Sequence, residues 1–155
     1  MSVRFMLNET SYFGKGAREE LAGEINKRGF KKVFLVSDKS LVDAGVTAKI
    51  ETVLKHANIK YDLYDEIKPN PTIKNVTDGV EACKKSKADV IVAVGGGSSM
   101  DTAKGISIVM TNPERSDIKS LFLMMLLTSV SEGVLFAENA TANPFIPLLT
   151  LLSAF

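Results

Sequence analysis

Short apolar runs alternate along the chain with stretches whose apolar residues recur every three or four positions. Lys32–Ser37 reads KVFLVS and Asp89–Val94 reads DVIVAV, continuous apolar runs of the kind buried on both faces of a sheet. Between them Tyr61–Asp65, YDLYD, alternates and predicts another strand. From about Thr47, Ile50, Val53, Leu54 and Ala57 share one helical face. Thr72 is suited to cap the next helix, on which Ile73, Val76, Val80 and Cys83 follow at spacings of three and four. Upstream, Ala17, Leu21 and Ile25 mark a helix, and Val3–Leu7 predicts a further strand. Strands alternating with amphipathic helices of this length predict βαβ units, an α/β fold with a parallel sheet.

The third run leads into three glycines. In VIVAVGGGSSMDTAKG, Gly95, Gly96 and Gly97 precede a helix expected near Ser99, with Ala103, Ile106, Ser107 and Met110 toward the core. Ser98 with Asp101 three residues later has the form of a capping box, with Asp in place of the usual Glu. In an open parallel sheet, ligands bind where strand C-termini meet helix N-termini. Glycine there lets the backbone approach a ligand, and the helix end favours an anion such as phosphate. The spacing fits neither G-x-G-x-x-G, which would need glycine at Met100, nor the P-loop. By spacing alone, a phosphate cradle and a plain strand-to-helix turn both remain open.

Two further residues fall at the same edge of the predicted sheet. Asp38 directly follows the first run; its carboxylate would either accept hydrogen bonds from a ribose diol and repel a 2′-phosphate, or cap the turn SDKSL. Asn70 lies in KPNPT, a loop stiffened by two prolines. It would either contact a base or ribose, or make an Asx-turn.

Composition sets outer limits. The 155 residues fit one domain, and 45% hydrophobic with 24% charged residues is a globular balance. A net charge of +1 gives no reason to expect nucleic acid as a partner. The one cysteine, Cys83, has no partner for an internal disulfide, and MSVRFMLNE has no apolar core of a signal peptide. A cytoplasmic location is expected, with no membrane contact. Charge is uneven, however. All 19 Lys and Arg and 16 of the 18 acids lie at or before Lys119, while the rest carries only Glu132 and Glu138 and is rich in Leu, Met and Phe.

LNET and FGKGA, then VSDKSL, PNPT and GGGSSMDTAKGI, in that order, resemble the iron-dependent (group III) alcohol dehydrogenases. The branch of lactaldehyde reductases and 1,3-propanediol and butanol dehydrogenases is the most similar. The resemblance runs from about Met1 to Leu121. It implies a Rossmann-like nucleotide-binding domain with helices on both faces of its sheet, and NAD as cofactor. By resemblance Gly96, Gly97 and Ser98 hold the pyrophosphate, Asp38 binds the adenosine ribose and Asn70 lines the adenosine pocket. Asp101 stands near the nicotinamide end, with Lys104 in support. The substrate implied is a small alcohol or aldehyde, and a homodimer paired through the N-terminal strand is the expected assembly.

The family's metal, usually iron, is held by one Asp and three His of a second, helical domain. This chain has one histidine, His56 in LKHAN, expected on a solvent-side helix face, and no H-x-x-x-H or cysteine cluster. Neither catalytic nor metal-binding residues are therefore expected, nor iron bound to this chain. A PTTAGT-type segment expected soon after Leu121 is also missing. Residues 122–155 are read as an apolar, atypical tail, with a shifted reading frame as the leading explanation and a tail that packs on the sheet or a partner as the rival. Cys83, on an apolar helix face, is expected in the core; KKSK at 84–87 is expected at a solvated helix end, where cations suit the dipole. Three functions stay open: an NAD-dependent alcohol dehydrogenase or aldehyde reductase represented by its cofactor domain, a nucleotide-binding module without chemistry, and an oligomerisation fragment.

Overall fold

The computed structural model describes residues 12, 15–68, 72–111 and 148–151. A 3-10 turn at Ala17–Glu19 leads into helix α1, Glu20–Lys27. There follow strand β1, Lys32–Asp38; α2, Lys39–Asp43; α3, Val46–His56; β2, Lys60–Ile67; α4, Ile73–Ser86; β3, Val90–Val94; α5, Gly97–Thr111; and β4, Leu148–Leu151. The strands form one parallel sheet in the order β2-β1-β3-β4.

Alternation along the strands divides the core. Val33, Leu35, Val90, Val92 and Val94 meet Leu21 and Ile25 of α1 and Ile50, Val53 and Leu54 of α3. Phe34, Val36, Ile91 and Ala93 point the other way, where Val80 and Cys83 of α4 and Ala103 and Ile106 of α5 cover them. Both β1 and β3 are thus enclosed on both faces, which is why residues 33–36 and 90–94 are unbroken apolar runs. The arrangement is the Rossmann-like parallel sheet expected, with helices on both faces. Helices α4 and α5 approach closely at Gly79, where an added Cβ would stand 2.4 Å from Cδ1 of Ile106.

The edge of the sheet where β1 and β3 begin is fastened by charge. The Asp89 carboxylate accepts from the backbone N–H groups of Lys31 and Lys32 at 2.8 and 2.9 Å. The Lys32 ammonium donates to the Ser86 carbonyl and pairs with Asp62, each at 2.7 Å. Strands β1, β2 and β3 and the end of α4 are thereby tied together, leaving the opposite edge for the glycine turn.

Several local details depart from the pattern. Helix α2 forms where a turn was expected, because Asp38 caps it. Thr72 caps α4 as expected, and the cap is a full capping box with Asn75, since both side chains receive backbone N–H groups. Ile73, expected on the buried face of α4, is 43% exposed, because the first residue of the helix stands beyond the sheet's cover. Helix α5 starts two residues early, at Gly97, so Ser98 lies inside its first turn and is not the N-cap. The amide of Met100 already donates to the Gly96 carbonyl at 3.1 Å, which brings the glycines into the helix start. Residues 148–151 of the apolar tail form a strand, Ile91 to Val94 pairing with Leu148 to Leu151. The strand expected at Val3–Leu7, and residues 122–147, lie outside the described residues.

Candidate functional site

The chain runs from β1 to β2 on one side of the sheet, then crosses back over β1 to reach β3. Strand order therefore reverses between β1 and β3, and the crevice beyond the C-termini of two such strands is where open α/β sheets hold ligands. Asp38 ends β1, and Gly95 follows β3, so both stand at this crevice. Asn70, two residues past the described end of the β2 segment, lies outside the described residues.

The three glycines are not equivalent. Gly95 has φ +143°, a conformation that disfavours any side chain, and an added Cβ would lie 2.6 Å from Ser99 Oγ and 3.0 Å from Leu41 Cδ1. Gly96 and Gly97 are exposed, and a Cβ on either would meet nothing within 4 Å. Gly95 is thus required by packing, whereas the other two border open space. The amides of Gly97, Ser98 and Ser99 precede the first intrahelical bond of α5, which runs from Met100 to Gly96, and so belong to the set of helix-start donors that have no helical acceptor. Beneath them Ser99 Oγ is buried without a hydrogen-bond partner. An exposed, side-chain-free turn opening a 15-residue helix fits a bound pyrophosphate, since partial positive charge and free donors converge there.

Asp38 is the N-cap of α2. Its Oδ1 accepts from the Leu41 amide at 3.0 Å and from the Ser40 hydroxyl, so the carboxylate caps α2. Oδ2 takes no hydrogen bond among the described residues, and the side chain is half-buried at the crevice. Capping therefore leaves one oxygen able to receive a hydroxyl. Asp101 and Lys104 lie further along α5, both half-buried, and neither side chain makes a hydrogen bond or ion pair among the described residues. Ser37 was not singled out by its sequence, yet its buried hydroxyl donates to the Val94 carbonyl at 2.9 Å, at the base of the crevice.

The described residues do not make up an iron site. His56 is exposed in the last turn of α3, and the described residues hold no group of three His, Cys, Asp or Glu suited to a metal. Cys83 is fully buried in the α4 face of the core, and burial pushes its thiol up to about 11. Lys84 and Lys85 occupy the last turn of α4, with Lys87 just beyond it, all exposed. No helix among the described residues is long and apolar enough to cross a membrane.

Comparison with known proteins agrees with this geometry. The family model for iron-containing alcohol dehydrogenases matches residues 8–152. Lactaldehyde reductase of Escherichia coli strain K12 is 39% identical over 151 residues, covering 97% of this chain and 36% of that protein. The alcohol dehydrogenase from Oenococcus oeni superposes with a TM-score of 0.76 at 30% identity, over 98% of this chain and 36% of that one. The NADH-dependent butanol dehydrogenase A from Thermotoga maritima gives 0.75 at 26% identity, over 99% of this chain and 35% of that one. The chain therefore spans about a third of the length of these relatives. It belongs to the iron-containing alcohol dehydrogenase family.

Proposed function

We propose that this chain is the dinucleotide-binding part of an NAD-dependent alcohol dehydrogenase or aldehyde reductase of the lactaldehyde reductase type. The observation that carries the proposal is one coincidence of place. Asp38 and the side-chain-free Gly96–Gly97 turn stand together at the point where strand order reverses. In this reading Gly96, Gly97 and Ser98 hold the pyrophosphate of NAD at the start of α5. Asp38 receives the adenosine ribose and disfavours a 2′-phosphate, Asn70 borders the adenosine, and Asp101 stands toward the nicotinamide. The cofactor, when bound, supplies hydride exchange with a small alcohol or aldehyde; these residues bind and orient it. No step is assigned to a metal.

A second reading, nucleotide binding without chemistry, is favoured by the absence of a metal-ligand group among the described residues. Titrating the purified chain with NADH, followed by fluorescence, tests the binding that both readings share. Saturable binding that weakens in Asp38→Ala supports it, and no binding by a folded, monodisperse chain refutes it. Turnover of a small aldehyde that depends on added divalent metal separates the dehydrogenase from the bare module.

The extent of the domain belongs to the same proposal. The family match crosses position 121 and β4 joins the sheet, and both favour an in-frame continuation over a shifted frame after Leu121. Three-frame translation downstream of Leu121 separates the two. A homodimer through residues 3–7 is tested by sedimentation of the chain with and without them.

A further inference from the structure

Beyond the residues assigned to the cofactor, we infer that Ser37 is a positioning residue that fixes the Asp38 carboxylate relative to the glycine turn. The inference rests on the dinucleotide reading above. Ser37 and Val94 are the last paired residues of the β1–β3 ladder. Past them the two chains separate, β1 into α2 and β3 into Gly95. Ends of ladders open most readily, and here the end lies at the crevice. Ser37 is fully buried, and its hydroxyl donates to the Val94 carbonyl at 2.9 Å, adding a cross-strand bond where the ladder stops.

That bond closes a ring of contacts. Ser37 is joined covalently to Asp38; Asp38 Oδ1 accepts from the Leu41 amide at 3.0 Å. The Leu41 side chain lies against Gly95, with Cδ1 3.0 Å from where a Cβ on that glycine would stand. Gly95 is joined to Val94, whose carbonyl receives the Ser37 hydroxyl. Two covalent joints and three contacts thus hold the Asp38 carboxylate and the turn in one relative position. A ligand that touches both ends gains from that fixed distance, whereas one that touches only the Asp38 end does not.

The test uses the full chain with Ser37→Ala, Ser37→Thr, and Ser37→Cys as a near-isosteric second variant with a poor donor. In the ligand-free chain, exchange of the hydrogen-bonded amides of Leu41 and Met100, which flank the two ends of the ring, should quicken by about three- to tenfold in Ser37→Ala and Ser37→Cys, the range one hydrogen bond supports, and return in Ser37→Thr. Unchanged exchange in both folded variants overturns the inference, whatever the cofactor result. In titrations, ADP-ribose should bind about three- to tenfold more weakly to Ser37→Ala, while adenosine, which lacks the pyrophosphate, binds within about twofold of wild type. Equal losses for both ligands, tracking a fall in Tm, would make the role merely structural and overturn it. Failure of the wild-type chain to bind either NADH or ADP-ribose refutes the dinucleotide reading itself, and with it the role given to Ser37.

Discussion

The Ser99 side chain fills the space that a side chain on Gly95 would need. A Cβ built on Gly95 would stand 2.6 Å from the Ser99 hydroxyl oxygen and 3.0 Å from the Ser99 Cβ, and the glycine's φ of +143° already disfavours a side chain. The turn therefore folds back over the first coils of α5 only because residue 95 has no side chain. Gly95→Ala should destabilise the chain by about 1–3 kcal/mol, from backbone strain and overpacking together. A urea denaturation series reads this as a lowered midpoint at unchanged slope. An unshifted midpoint would show that the contact does not constrain the turn.

The double duty of Asp38 separates by substitution. Asp38→Ala removes the cap of α2 at a cost of about 1 kcal/mol, and should also weaken NADH binding. Asp38→Asn keeps an oxygen for the Leu41 amide, and Asn caps helices as well as Asp does, so stability should be nearly unchanged. NADH binding should still weaken, and the preference for NADH over NADPH should shrink, since the charge that opposes a 2′-phosphate is gone. Identical NADH and NADPH affinities in wild type and Asp38→Asn would confine the residue to capping.

Much of the fold was legible because its signals are local. The runs are apolar at every position over 33–36 and 90–94, where both sheet faces are covered, and Thr72 announces its helix by capping chemistry. The start of α5 was harder, because Ser98 carries a cap's chemistry while glycines ahead of it can enter the helix directly. Residues 148–151 were harder still: nothing local marks three leucines and a threonine after a proline as a partner for β3, which lies more than fifty positions upstream. At the crevice, Asp38 and the glycines could be placed from strand ends alone. Ser37 could not, since a serine closing a strand carries no visible signal until the Val94 carbonyl is found opposite it.

Cys83 supplies a probe of the core. Burial raises its thiol to about 11, so almost none is thiolate at neutral pH, and the side chain is also out of reach of reagents. Labelling by a disulfide reagent at pH 8 should be negligible in the folded chain and should proceed at the rate of unfolding as urea is added. Rapid stoichiometric labelling of the native chain would place Cys83 outside the core.

Acid stability should depend on Tyr12. The Tyr12 hydroxyl donates to one oxygen of Glu24 at 2.9 Å and Arg28 Nε to the other at 3.2 Å, and these bonds, that of Tyr12 first, hold the Glu24 carboxyl below its ordinary value of 4.5. A depressed folded pKa gives stability that is fully present above the ordinary value and is lost as pH falls through the folded one. Stability should therefore decline below about pH 4.5, less steeply in Tyr12→Phe than in wild type. Parallel pH profiles for the two chains would contradict the assignment.

The central claim, that open space over the glycine turn exists to receive a dinucleotide, is tested most directly at Gly96. A Cβ there meets nothing within 4 Å, so Gly96→Ala should leave stability within about 0.5 kcal/mol of wild type, as for surface changes generally. NADH titrations of the two chains, run side by side, should then show saturable binding by wild type and at least about tenfold weaker binding by Gly96→Ala, a loss of about 1.4 kcal/mol. Equal affinity in the two, or no binding by a folded wild-type chain, would mean that the turn only joins β3 to α5.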